Sequence, residues 1–481
     1  MTPYRLIGLW LSFACLSLLP AQTQERWTLR ECLEYAEEQN LSLKLAQLNV
    51  DNSDVVLRRS RAARMPNFNA SSGFNSNFGY VVNPFTNEFT AGGNQNFSLS
   101  FNSGVTLYNG GRIANNIRQA EVDQRVAALD LEQAEYDLGL NVVLAYLDVL
   151  RNQELVKSAE IQVASTREQR ERTAKLVDAG VVPRADLLQL ESQIATDQLA
   201  LVNNRNQLET AYLNLTQLLQ LDPNQPFAIE SIEVEIPAND VFDTELNQYF
   251  QAGKDNMPFI ESADLQVQSA ELGEQIARSG YLPTVSAFVG FGTGWASGRT
   301  QFTGQNITRN DTFGQAISLN GGEFQPGAVV VENQMPVSQP YSFADQVRDN
   351  INTSVGVQLS IPIYNRFQNH AAVQQAAIQR DRAELQSLQQ RQRLEQDIQA
   401  AYVAARSAYG TYTSTLRQIE SLELTFDNTE KQYNLGVVNS VDYLIAKNNL
   451  ERARNDLVQA KYNYIFRAKV LDFYQGKPIG F

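Results

Sequence analysis

Two stretches of this 481-residue chain, Arg112 to about Ala179 and Arg366 to about Leu435, contain no proline and one glycine each, Gly139 and Gly410. Proline breaks helices and glycine weakens them, so each stretch reads as a single helix. About 65 residues at 1.5 Å per residue make a rod of about 100 Å, against a mean of about 11–12 residues for globular helices. It is also far longer than a bilayer is thick. On the first rod, one apolar stripe is Ile113, Ile117, Ala120, Ala127, Leu131, Ala134, Leu138 and Ala145. A second is Leu129, Tyr136, Leu140, Val143, Leu147 and Leu150. The stripes are offset by two residues, about 200° around the helix. A helix with seams on opposite sides packs between two neighbours, which is the geometry of a wall. An ordinary long coiled coil or spectrin-like bundle is the alternative that the pattern leaves open.

The rods belong to a tandem repeat. Residues 256 positions apart match at Tyr108/Tyr364, Asn109/Asn365, Ala127/Ala383, Leu129/Leu385, Gly180/Gly436, Val181/Val437, Val182/Val438, Asp186/Asp442 and Leu188/Leu444. Earlier in the chain the offset is 217, as at Ala46/Ala263, Pro66/Pro283, Gly73/Gly290 and Phe74/Phe291. An ungapped match over so long a stretch rarely arises by chance. The change of offset puts an insertion in the second copy, at about 297–350. The expected organisation is a signal peptide over 1–21, a first repeat over 22–222, a linker over 223–242 and a second repeat over 243–481. Pro223, Pro226 and Pro237 mark the linker. Each copy reads as helix, two strands, long helix and half-length helix. The long helices fall at about 112–179 and 366–435, with tips at 180–183 and 436–439.

Four segments alternate with period two. They lie at about 67–80, 96–108, 283–296 and 352–364. Phe97, Leu99, Phe101, Val105 and Leu107 oppose Ser98, Ser100, Asn102, Gly104 and Thr106; Val355, Val357, Leu359 and Ile361 oppose Ser354, Gly356, Gln358 and Ser360. Segments of about ten residues, apolar out and small or polar in, fit a transmembrane barrel with a watery lumen. Tyr108 and Tyr364 at one end, and Tyr80 and Trp295 at the other, are candidate membrane-interface aromatics. A soluble sandwich with one wet face is the alternative. Four strands cannot close a barrel, since the smallest have about eight, and an open edge is not tolerated in lipid. The barrel must therefore be shared between chains.

The N-terminus, Arg5 followed by an apolar run to Leu19 and then Ala21, reads as a secretory signal cleaved after Ala21. Cys15, preceded by Ser-Phe-Ala, makes a poor lipidation box. Cleavage leaves Cys32 alone, with no intrachain disulfide possible. No later run is long and apolar enough for a transmembrane helix. A net charge of −14 disfavours nucleic-acid binding. One histidine, His370, and two cysteines leave little for a metal centre or a nucleophilic triad. No catalytic residue, cofactor or firm metal site is expected, and a carboxylate-based hydrolase lacks an evident acid pair.

The chain resembles the TolC-type outer-membrane efflux protein family over essentially its whole mature length. The resemblance rests on the repeated plan, on the strand-to-helix joints LYNGG (107–111) and IYN (363–365), and on two turns. The turns are AGVVPRADLLQLESQI (179–194) and LGVVNSVDYLIAKNNL (435–450). It implies an α+β membrane protein, a homotrimer with a twelve-stranded outer-membrane β-barrel continued by a long periplasmic α-helical barrel in a Gram-negative cell. It implies an exit duct serving an inner-membrane pump and a periplasmic adaptor of the membrane-fusion type. The tips would meet the adaptor through Gly180, Val181, Val182, Gly436, Val437 and Val438. Asp442 would line the channel constriction, while Asp186 and Tyr433 would sit in the tip latch. Family members carry a second Asp three residues after the first, where this chain has Ile445, and a latch Arg where it has Val438. The resemblance therefore carries over one acidic ring, and a latch of different chemistry. A general diffusion channel and a periplasmic coiled-coil structural or adaptor protein are the rival functions. The insertion is expected to be an extracellular surface loop.

Overall fold

The computed structural model of the chain describes residues 26–82, 89–222, 226–232, 236, 245–316 and 327–477. The signal segment with Cys15 and most of the 223–242 linker lie outside them. In chain order the elements are α1 (Leu29–Gln39), α2 (Leu41–Ala62), β1 (Asn67–Val82), β2 (Phe89–Tyr108), α3 (Arg112–Asp178) and α4 (Arg184–Leu219). Then follow α5 (Leu246–Asn256), α6 (Pro258–Arg278), β3 (Thr284–Ala296), β4 (Thr300–Ala316) and β5 (Gly327–Pro340). The last are α7 (Phe343–Asp349), β6 (Asn352–Ser360), α8 (Gln368–Asn434) and α9 (Ser440–Tyr474). Helices α3 and α8 have 67 residues each. No described helix is long and apolar enough to cross a membrane.

The chain divides into two compact units. The first gathers residues 1–54, 122–267 and 381–481 and is helical. Thr28 starts α1 with a capping box: its hydroxyl accepts from the Glu31 N–H while the Glu31 carboxylate accepts from the Thr28 N–H at 2.7 Å. Trp27 exchanges backbone hydrogen bonds with Ala228 and Glu230, and the Tyr146 hydroxyl donates to the Glu230 carbonyl at 2.8 Å. These bonds tie the start of α1 to the segment after α4. The main core joins Cys32, Ala36, Val142, Val143, Tyr146, Leu147, Leu150, Leu215, Leu219 and Ile465. Leu131, Ala134 and Leu138 of α3 face this core, whereas Tyr136 and Leu140 pack on a second one around Leu394, Ile398, Ala405 and Leu471. Each fully buried Leu or Ile contributes about 1.5–3 kcal/mol. The Cys32 thiol is fully buried, which pushes its pKa up to about 12.

The second unit gathers residues 55–121 and 268–380. Its centre is a four-stranded antiparallel sheet in the order β1-β2-β3-β6. The register pairs Phe74 with Phe97, Phe97 with Trp295, Phe101 with Phe291, and Val289 with Val355. Directly paired residues share a face, so these form one apolar side. On the opposite side Asn69 pairs with Asn102, Asn102 with Gly290, and Gly290 with Ser354. Phe288 is the exception there: its ring lies over Gly356, where an added Cβ would meet it.

Three expectations are corrected. The strand expected from about 96 begins at Phe89. The strand expected to reach 364 ends at Ser360, because Pro362 supplies no N–H and the chain must turn into α8; Tyr364 therefore lies beyond the sheet. The insertion expected as a loop over 297–350 instead holds the β4–β5 antiparallel pair and helix α7. Its side chains alternate too weakly to announce strands, with Phe302, Ile307 and Met335 scattered among polar neighbours.

Candidate functional site

Both helix tips are built the same way from the backbone up. At the end of α3, Gly180 has φ +73°, its N–H donates to the Val177 carbonyl and the Val181 N–H reaches back to Leu176 at 2.9 Å. At the end of α8, Gly436 also has φ +73°, its N–H donates to Tyr433 and the Val437 N–H donates to Gln432 at 2.9 Å. This pair of bonds is the Schellman stop, and it needs a left-handed residue that glycine adopts without strain. Val181 and Val437 are exposed at 67% and 72%, while Val182 and Val438 are half-buried.

The returning helices start differently. Pro183 precedes α4 and offers no side-chain cap, while Asn439 caps α9 by accepting from the Asp442 N–H at 2.9 Å. Asp442 is exposed in the first turn of α9, and its carboxylate pairs with no side chain among the described residues. Asp186 is half-buried and accepts a hydrogen bond of 2.9 Å from the Ser440 hydroxyl. The two tips of one chain are therefore joined at their first turns. Tyr433 stacks on Tyr443 with ring centroids 4.8 Å apart, beside Phe426, Leu190 and Leu444. Burial, with Glu430 and the neighbouring Tyr433, raises the Tyr443 pKa.

One turn further into α9 lies a group that the sequence reading missed. Lys447 is 3% exposed. Its ammonium donates to the Ser165 and Thr166 hydroxyls at 3.1 and 3.0 Å. Thr166 in turn donates to Asp197 at 2.6 Å, and Gln193 donates to the other Asp197 oxygen at 2.8 Å. Desolvation lowers the Lys447 pKa, and the nearby Asp197 charge opposes that fall. The chain thus holds a buried, hydrogen-bonded layer linking α3, α4 and α9. The signal was present: Lys447 continues the stripe Leu444, Lys447, Leu450 at helical spacing.

In the sheet unit, Tyr80 lies near the end of β1 and is 83% exposed, and Tyr108 ends β2. Trp295 is half-buried beneath Phe343, with ring centroids 5.7 Å apart. Tyr364 is 86% exposed. The His370 ring lies tilted against Phe367, with centroids 4.6 Å apart. Among the described residues no three His, Cys, Asp or Glu side chains converge where they could hold a metal ion.

The sequence profile of the outer membrane efflux protein family matches residues 32–220 and 335–476. The chain belongs to that family. It is 21% identical to the outer membrane efflux protein BepC of Brucella suis, over 95% of this chain and 86% of that protein. It is 22% identical to the outer membrane protein TolC of Vibrio cholerae, over 96% and 93%. Its fold matches the crystal structure of the outer membrane protein VceC from Vibrio cholerae with a TM-score of 0.72, at 14% identity, covering 94% of this chain and 97% of that one. The protein is thus an outer-membrane efflux channel. Members of the family are transport channels.

Proposed function

We propose that three copies of this chain close a twelve-stranded barrel in the outer membrane and a helical tunnel in the periplasm, forming the exit duct of a tripartite efflux or type I secretion system. The observation that carries this reading is the four-stranded sheet, apolar on one face and polar on the other, with β1 and β6 as its two edges. In lipid every unpaired backbone group costs several kcal/mol, so the edges must pair with other copies. Two copies would close eight strands, and three give the wider lumen. The tandem repeat is supported by the two 67-residue helices and by torsions shared 256 residues apart: Gly110 and Arg366 at φ +67° and +54°, Gly111 and Phe367 at +82° and +69°.

The tips are the gate in this reading. The exposed Asp442 carboxylates of three copies form a ring that favours cations and binds a divalent ion. The Asp186–Ser440 bond and the Tyr433–Tyr443 stack hold the closed arrangement. Gly180, Val181, Val182, Gly436, Val437 and Val438 present the surface that a periplasmic adaptor grips, and an inner-membrane pump supplies the energy. Tyr80 and Trp295 face one membrane interface, and Tyr108 and Tyr364 the other. Both transport routes stay in the proposal because one relative is named an efflux protein and another, AprF of Pseudomonas aeruginosa, an alkaline protease secretion protein.

Chemical crosslinking in membranes should give a ladder ending at three chains; a ladder ending at two, or no ladder, removes the trimer. In planar bilayers Asp442→Asn should weaken divalent block and raise single-channel conductance. No change in either removes Asp442 from the constriction.

A further inference from the structure

The pairing of β3 with β6 ends at Gly292–Asn352, so among the described residues the last of β3 have no strand on that side. Helix α7 takes the strand's place. Gln346, 1% exposed, accepts from the Ala296 N–H at 3.0 Å and donates to the Ala296 carbonyl at 3.1 Å. Asn350 donates to the Gly294 carbonyl at 2.6 Å, and the Thr293 hydroxyl donates to the Val347 carbonyl. The Gln346 and Asn350 bonds satisfy backbone groups that the ladder has released.

The helix docks on the apolar side of the sheet. The Phe343 ring lies 5.6 Å from Phe97 and 5.7 Å from Trp295, residues paired directly on the apolar face near the end of the β2–β3 pairing. Phe343 is still 52% exposed, so the apolar face continues onto the helix. Around it stand polar groups suited to headgroups: Arg348 is held between Asp345 and Asp349 at 3.1 and 2.9 Å, and Arg299 lies over the Tyr341 ring. An exposed aromatic ring beside paired charges, at the end of a lipid-facing strand, matches the amphipathic chemistry of a membrane interface.

We infer that α7 is a membrane foot: it rests Phe343 in the outer headgroup layer of the bilayer, on the lipid side of the barrel wall. The inference rests on the barrel reading above. It follows that the insertion is rooted toward lipid and not over the pore.

The test uses the full chain, Cys32→Ser, reconstituted in phosphatidylethanolamine–phosphatidylglycerol vesicles, with a nitroxide at Phe343→Cys, Val357→Cys or Ser354→Cys. Val357 lies on the apolar face and Ser354 on the polar face. The expected oxygen-to-nickel accessibility ratio at 343 falls between those of 357 and 354, clearly above the latter. A ratio at 343 equal to that at 354, or a label closed to both reagents, overturns the foot. A label at 357 without lipid access overturns the barrel reading instead. Phe343→Trp with brominated phospholipids repeats the measurement with an aromatic ring kept: quenching beyond that of the parent supports the foot, and unchanged quenching overturns it.

Discussion

The two long helices begin and end with matching backbone torsions built from different side chains, and the differences show where geometry dictates the residue and where chemistry is free. At the strand-to-helix joints, Gly110 and Gly111 take left-handed torsions in the first half, and Arg366 and Phe367 take them in the second. A non-glycine residue held there carries strain of about 1–3 kcal/mol. The first joint has no choice at Gly110, since a Cβ would stand 2.7 Å from the Cβ of Leu282. At the second joint Phe367 makes a contact of its own, its ring tilted against that of His370. At the tips both halves use glycine, yet the next turns diverge. Glu191 in the first half pairs with Arg170 at the surface, where both side chains are at least 40% exposed. Lys447, 256 residues later, is buried against Thr166 and Asp197.

The largest expected effect breaks that last contrast. Asp197→Ala leaves Lys447 buried without the strongest of the charges that oppose it, and should cost about 3–5 kcal/mol in denaturant unfolding of the purified protein. Glu191→Ala removes only an exposed pair and should cost less than about 1 kcal/mol. The double variant Lys447→Met with Asp197→Leu should recover most of the loss. Equal costs for the two single variants would mean that the buried layer carries no special weight.

Next come the joints. Gly110→Ala combines a left-handed torsion with the Leu282 clash and should cost about 2–3 kcal/mol. Arg366→Gly, at the matching position, should instead be neutral or stabilising by up to about 1 kcal/mol, as relief of strain outweighs the added freedom of the unfolded chain. If both substitutions destabilise alike, the second joint is not strained.

A smaller effect sharpens the contrast between the two tip carboxylates. Asp186 is tied to Ser440, whereas Asp442 bonds to no side chain among the described residues. Asp186→Ala and Ser440→Ala should each cost about 1 kcal/mol, and the double variant no more than either alone, which defines a coupled pair. Both should raise basal ion leak through the channel. Asp442→Ala should leave stability within about 0.5 kcal/mol. Fully additive losses at 186 and 440 would dissolve the proposed latch.

Much of this was legible from residue patterns. Alternation in 97–107 and 354–361 exposed the two-faced sheet, because side-chain direction in a strand follows position alone. The absence of proline from 112–178 exposed α3, and the Gly-Val-Val tips gave their own stops. What remained hidden depended on contacts far apart in sequence. Helix α7 is seven residues long and is held by Gln346 bonding to Ala296, a partner that no local pattern announces. The Asp186–Ser440 bond spans 254 residues. Lys447 sits at a core position, but a lysine reads as solvated until its partners on α3 and α4 are in view.

The smallest effect is a pH dependence that separates neighbours in the second tip. The Tyr443 pKa is raised by burial. Below about pH 10 the phenol is neutral folded and unfolded alike. Above it the unfolded chain ionises first and binds fewer protons, so stability falls as pH rises. Lys447 has the opposite sign. Burial lowers its pKa from 10.5, so in the window just below that value the folded chain releases its proton first. The unfolded chain then binds more protons, and stability rises with pH. Denaturation midpoints between about pH 8 and 11 should therefore show a rise that Lys447→Met removes and a later fall that Tyr443→Phe lessens. Tyr146 and Tyr462, also raised by burial, keep the fall from vanishing. In the first half Leu187 and Glu191 occupy the matching positions. Glu191→Met removes only an exposed pair with Arg170 and should leave the profile in this window unchanged. If wild type, Lys447→Met and Tyr443→Phe share one profile, the two tips do not differ in their buried charge.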